Sequence, residues 1–274
     1  MKKATFTCTL ITPMFVGKVN PDESEINADA IKGGLRFWLR AIGYDKDNDN
    51  EIFGSTKEAP KVFISVEKIS NSNTVFNDAK EELLIADYLS RRNSIVNLYS
   101  YLNYPNAMNK RDGIEISNAH HYKMGSTFSI VFSAYGNDQN VFNPYITALK
   151  LLSAFGGIGN RNRNANGQLY IQELGLTWYC IQTLFAHYKT GDEKNYTAFS
   201  ENARLLYVDN MDSVESAYAA LASAYRSARQ GVKNCTSHAY VLNGIDFRHD
   251  ITHRRFIASP ANTKKQMKPK LVIH

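Results

Sequence analysis

Residues 28–41, ADAIKGGLRFWLRA (Ala28 to Ala41), decide how this chain is read. At about 100° per residue, a helix here gathers Ile31, Leu35, Trp38, Leu39 and Ile42 within roughly a quarter turn. Lys32, Arg36 and Arg40, spaced i, i+4 and i+8, form a second stripe on the adjacent flank. One face can dock on a sheet. The next is a ladder of three cations rising by about 6 Å per step, a repeat suited to an extended phosphate backbone. A solvated helix flank looks the same, so the ladder alone does not choose between them. Gly33 and Gly34 each cost about 1 kcal/mol relative to Ala inside a helix, which implies close packing against the backbone there. Trp38 falls in the apolar stripe, whereas Phe37 lies on the opposite side and is expected to meet a neighbouring element or subunit.

The 274 residues suffice for one large or two small domains, and 43% hydrophobic with 21% charged residues is an ordinary globular composition. No apolar run approaches the ~18–20 residues of a membrane span, and MKKATFTCTL alternates instead of forming a signal-peptide core. No membrane association is expected. Cys8, Cys180 and Cys235 are odd in number and widely scattered, which argues against a disulfide framework and for a reducing cytoplasm. The net charge of +6 is unevenly spread. From Leu221 onward ten Lys/Arg face only Asp246 and Asp250, while positions 1–220 hold 22 basic and 24 acidic residues. Such asymmetry fits a polyanionic partner or a solubilising tail.

Working outward, Thr5–Leu10 alternates polar and apolar and reads as a half-buried strand ended by Pro13. Asp45–Asn50 reads as a charged, Asn-rich linker. Lys61–Ile69 is a second strand with Val62, Ile64 and Val66 on one face. Asn71–Met124 reads as an insertion, with a helix near Ala79–Ser90 followed by the Tyr-rich IVNLYSYLNYP. Those tyrosines suit core packing or base stacking. Phe128–Tyr135 is a third strand. Asn143-Pro144 supplies an N-cap and an N1 proline for a helix to about Phe155, and Gln168–Leu174 is a fourth strand. The order β-α-β-insertion-β-α-β is an α+β, ferredoxin-like (RRM-like) plan over residues 1–175. Residues 176–274 form a mostly helical region with a basic tail, including a helix from Asp212 or Ser213 to Gly231 with Val214, Tyr218, Leu221 and Tyr225 on one face. A degenerate second module of the same kind is one reading of that region.

Between the second helix and the fourth strand runs GGIGNRNRNANG, Gly156 to Gly167. Gly156, Gly157 and Gly159 permit positive φ and the close approach of a ligand backbone. Exposed N–H groups beside Arg161 and Arg163 can hold phosphate oxygens. No Gly-Lys-Ser/Thr follows, so this is no Walker loop. It follows a helix and precedes a strand, the reverse of a dinucleotide site. A plain Gly/Asn turn is the alternative.

Several blocks together resemble the RAMP superfamily of CRISPR-associated proteins, most of all the first subunit of the Cmr (type III-B) effector module. They are LITPMFVG (Leu10–Gly17), AIKGGLRFWLRA (Ala30–Ala41), EIFGS (Glu51–Ser55) and LLSAFGGIGNRNRNANG (Leu151–Gly167), with RRFIASP (Arg254–Pro260) a looser fifth. The resemblance implies a ferredoxin-like RAMP domain and a non-catalytic, structural subunit that binds CRISPR RNA or target RNA near the guide 3′ end. It implies other Cmr-module RAMP subunits as partners and no cofactor. The residues expected at RNA are Lys32, Arg36, Arg40, Gly156, Gly157, Gly159, Arg161, Arg163, Arg254 and Arg255. Two departures stand out: Asn27 where such proteins carry Arg ahead of the helix, and Asn164–Gly167 where they carry a basic, Gly-aromatic-Gly loop end.

Two rivals draw on other residues. A RAMP-type, metal-independent RNA endonuclease processing CRISPR RNA would need a histidine as general acid or base, with His120, His121 and His238 available. Cys235-x2-His238 and His249-x3-His253 have metal-ligand spacings but lack the second Cys of a zinc finger. No catalytic residue and no metal site is assigned on this basis.

Overall fold

The computed structural model of the chain describes residues 1–15, 26–68, 86–89, 94–97, 102, 121–136, 138, 140–189, 199, 205, 212–214 and 216–221. In chain order the elements are β1 (Lys2–Leu10), β2 (Met14–Phe15), α1 (Ala28–Ala41), α2 (Lys46–Phe53), β3 (Val62–Lys68), β4 (Ala86–Leu89), β5 (Ser94–Asn97), β6 (His121–Tyr122), β7 (Thr127–Ala134), α3 (Asn143–Phe155), β8 (Leu169–Ile171) and α4 (Trp178–Tyr188). Helices combine with antiparallel sheet, so the fold is α+β.

A four-stranded sheet has the order β3-β7-β1-β8, with each neighbouring pair antiparallel. Register follows from side-chain alternation. Cys8 faces Phe128, Phe6 faces Ile130 and Ala4 faces Phe132, so all six lie on one face. That face buries the stripe of α1 (Ile31, Leu35, Leu39) and Tyr145, Ala148, Leu149 and Leu152 of α3 in one continuous core. The opposite face of the two central strands carries Lys3, Thr5 and Thr7 beside Ser133, Val131 and Ser129. Where β8 ends, the backbone N–H of Thr7 donates instead to Glu173 Oε2 at 2.9 Å.

Contacts divide the chain into two units, Met1–Glu82 with Pro105–Asn202, and Leu83–Tyr104 with Ala203–His274. Residues 83–104, expected inside an insertion of the first domain, thus group with the C-terminal part. The helix after residue 176 groups with the first unit, where Phe185 of α4 stands 6.2 Å from Phe155 and 5.3 Å from Phe199. In the second unit β4 and β5 pair antiparallel. Beyond them Ser213 accepts from the backbone N–H groups of Ser216 and Ala217 and starts a helical turn in which Tyr218 is buried.

Local expectations are corrected at four places. Asp45–Asn50 is not a linker but the cap and body of α2. Asp45 accepts from Asn48 N–H at 2.8 Å while Asn48 reaches back to the Asp45 N–H, a reciprocal box that the polar composition concealed. Residues 86–89, expected as helix, form a strand because they pair with the β-branched Ile95-Val96 segment. The α3 cap is Phe142 and not Asn143, whose side chain instead donates to Asn140 Oδ1 at 3.2 Å. The fourth strand closes at Ile171, and Gln172–Leu174 tightens into a 3-10 turn.

Candidate nucleic-acid interface

α1 begins where Asn27 caps it, its Oδ1 accepting the Asp29 N–H at 2.8 Å. The departure at Asn27 therefore has a structural use: a short amide caps the helix where an arginine could not. Ile31, Leu35 and Leu39 are fully buried, as the 3.6-residue period requires.

The cation ladder is not free. Asp49 of α2 is fully buried, with Oδ1 3.3 Å from Arg36 Nε and Oδ2 hydrogen-bonded to Arg40. Arg36 also donates to the Gly54 carbonyl at 2.7 Å and lies over the Phe53 ring, 5.5 Å from its centroid. A carboxylate without water needs paired cations, and two arginines one helical turn apart supply them. The blocks around Arg36 and Phe53 are thus one packed unit, with Phe53 edge-on to Tyr145 at 5.0 Å. Gly54 turns at φ +78, where a Cβ would fall 2.8 Å from Glu58 O and 2.8 Å from Pro60 N. Lys32 is half-buried, and no carboxylate among the described residues pairs with it. The expectation of three solvent-facing cations is corrected to one, plus the part of Arg40 left outside its pair. Its missing signal was Asp49, nine positions on and in a segment without apolar periodicity.

The Gly-rich loop closes on β2. Asn160 N–H donates to Phe15 O at 2.8 Å, Gly167 N–H to Pro13 O at 2.8 Å and Ile158 N–H to Gly167 O at 2.9 Å. A Cβ on Gly159, which sits at φ +86, would strike Phe15 O and come within 2.9 Å of Met14 Cγ. One on Gly157 would strike Asn166 O and lie 2.9 Å from Gly167 O, and one on Gly156 would enter the Trp38 ring. These three glycines answer contacts inside the chain, where a ligand was expected. The asparagines brace the loop: Asn162 donates to Gly157 O at 3.0 Å, and the buried Asn166 donates to Arg161 O at 3.1 Å.

Arg161 and Arg163 project from this braced loop, both exposed, and Arg161 takes a left-handed φ of 57. Arg163 was expected to find its partner outside the domain. Its guanidinium instead lies over Phe37, 5.3 Å from the ring centroid, and Phe37 is edge-on to Trp38 at 5.3 Å. The far side of α1 and the loop thereby meet through Phe37 and Arg163, and through Trp38 and Gly156. Gly34 allows ordinary contact with Leu152 at 3.4 Å, whereas nothing lies within 4 Å of where a Gly33 Cβ would stand.

The sequence profile of the RAMP superfamily matches residues 7–169, more than half of the chain. The chain belongs to that superfamily. This RAMP protein is similar to the CRISPR system Cmr subunit Cmr1-2 of Pyrococcus furiosus, at 28% identity over 192 residues, 64% of the chain and 97% of the relative. It is similar to subunit Cmr1-1 of the same organism at 28% over 171 residues, 56% of the chain and 45% of the relative. The crystal structure of Cmr1 from Pyrococcus furiosus in its apo form shares the fold, with a TM-score of 0.52 at 19% identity over 89% of this chain and 77% of that one.

The remaining candidates separate cleanly. His121 is buried in β6, its ring 5.6 Å from Phe15. His120, His238, Cys235, His249, His253, Arg254 and Arg255 lie outside the described residues. Among the described residues no three His, Cys, Asp or Glu side chains gather as metal ligands, and no helix is long and apolar enough to cross a membrane.

Proposed function

We propose that this chain is a non-catalytic, RNA-binding structural subunit of a type III-B CRISPR (Cmr) effector complex in the cytoplasm. It contacts CRISPR RNA or target RNA near the guide 3′ end and sits beside other Cmr-module RAMP subunits. The names of its relatives support the complex. The observation that carries RNA contact is the pair of exposed arginines on a loop that needs neither of them to hold its shape. The bonds that close that loop run through backbone and asparagine amides, so neither guanidinium is needed for its shape: Arg161 is exposed, and Arg163 keeps its charge and exposure while stacked on Phe37.

The strand order β3-β7-β1-β8 with α1 and α3 on one face supports a ferredoxin-like domain. An RRM stacks bases on aromatic residues of its central strands. Here those positions are Lys, Thr, Ser and Val, so the central strands offer no stacking ring and this reading places RNA at the loop and helix. Lys32 and the outer part of Arg40 add charge on α1, and Gly156, Gly157 and Gly159 shape the loop, while Arg254 and Arg255, outside the described residues, are further RNA contacts in this reading.

The test is fluorescence anisotropy of purified protein on single-stranded RNA, with native mass spectrometry after co-expression with Cmr-type subunits and a guide. Salt-dependent binding and co-assembly are expected, with the RNA intact. Cleavage by purified protein that vanishes in a histidine variant sinks the structural-subunit assignment in favour of the endonuclease.

A further inference from the structure

Among the described residues nothing accounts for Gly33. It occupies the second turn of α1, is exposed, and has open space where a side chain would stand, yet a glycine there weakens the helix relative to alanine. Phe37 lies four residues on, on the same face, and side chains on a helix lean toward its N-terminus over the preceding turn. The Phe37 ring nonetheless stays more than 4 Å from where a Gly33 Cβ would stand, so the helix surface beside it is open. Its orientation is held by the edge-on contact with Trp38 and by the Arg163 guanidinium, and Arg163 is itself exposed. The residue bearing that guanidinium belongs to a 3-10 turn braced by Asn162 and Asn166.

We propose that Phe37, Arg163 and the gap at Gly33 form a stacking platform for one base of single-stranded RNA. The proposal rests on the RNA-binding reading above and deepens it, because a flat delocalised cation over an aromatic ring offers a π-surface as well as a charge. Every base has a π-face, so the platform takes any of the four bases. Arg161, which stacks on no ring among the described residues, supplies charge alone.

The test uses the full chain and a set of short single-stranded RNAs, each with one 2-aminopurine at a successive position, read by fluorescence quenching and by anisotropy across salt. With wild type, one position is quenched. Arg163→Lys keeps the charge and the salt slope but loses the quench and binds about tenfold more weakly, the scale of one lost base stack. Gly33→Leu raises the melting temperature, since it removes a helix glycine, yet loses the quench because its side chain fills the gap. If Arg163→Lys and Gly33→Leu bind RNA and quench as wild type does, the platform is overturned while RNA binding stands. If wild type binds none of these RNAs at any salt, the RNA-binding reading falls, and the platform with it.

Discussion

Asp49 is fully buried, and its Oδ1 stands 3.3 Å from Arg36 Nε, so α1 and α2 are joined here by a buried charge as well as by apolar packing. The second carboxylate oxygen takes Arg40. Arg36 and Arg40 keep 29% and 44% of their side-chain surface, so their half of the cluster stays partly hydrated while the carboxylate does not.

Removing the carboxylate should therefore destabilise the protein. Asp49→Ala is expected to cost about 2 kcal/mol, below the full cost of breaking a buried pair because both arginines can turn to water. Arg36→Ala leaves Asp49 with Arg40 as its one cation, frees the Gly54 carbonyl and uncovers Phe53, and should cost more than Arg40→Ala. Lys32→Ala should leave stability unchanged. Urea denaturation of the four variants checks the order, and an Arg36→Ala protein as stable as wild type contradicts it.

On the loop, charge and shape are separable. Arg161→Ala with Arg163→Ala should lower the slope of log K against log salt by about 1.4, from ~0.7 per phosphate contact on a single strand. The melting temperature should hold, because the loop is tied by backbone and asparagine bonds. An unchanged salt slope would place the phosphate contacts elsewhere on the chain.

Glycine replacement in the same loop should act through folding. Gly159→Val puts a β-branched residue at φ +86 against Phe15 O, and Gly157→Val drives a side chain into the Asn166 and Gly167 backbone. Each should cost roughly 3 kcal/mol, through left-handed strain at Gly159 and backbone collision at both. Thermal melts beside RNA titrations decide the point. A Gly159→Val protein with wild-type stability and no RNA binding would show that the glycine serves a ligand after all.

Alkaline pH should unfold the protein through two buried groups. Burial pushes the Cys8 thiol up to about 12, against a lowering hydrogen bond from the Ile130 backbone. Burial likewise pushes the Tyr145 hydroxyl up to about 12. Both are neutral in native and unfolded chains near pH 7, where their contribution is fully present. Above about pH 9 the unfolded chain loses these protons first, so stability falls with rising pH, by up to about 1.4 kcal/mol per unit for each group. Cys8→Ala should flatten the decline from its onset. Tyr145→Phe should flatten the upper part and cost about 1 kcal/mol at neutral pH through the lost bond to Ile52 O. Denaturant midpoints from pH 7 to 11 read both effects, and parallel curves for wild type and variants would contradict the assignment.

What the sequence determined by itself is local. The bounds of α1, the burial of Ile31, Leu35 and Leu39, and the alternation of Phe6, Cys8 and Leu10 in β1 follow from periods of 3.6 and 2, which neighbouring residues impose without knowing the rest of the chain. Block spacing was legible for the same reason, since each block forms its own turn or helix. The tertiary structure alone decided which charges are available. Asp49 lies in a segment whose composition reads as loop, and it becomes helical and buried only because Asp45 caps it and two arginines on another helix neutralise it. Likewise the glycines of the loop advertise close approach but not by what. The partners are Phe15 and Met14 for Gly159 and Trp38 for Gly156, more than a hundred residues away in the chain. Long-range pairing sets burial, burial sets the cost of an unpaired charge, and neither has a period that a sequence can display.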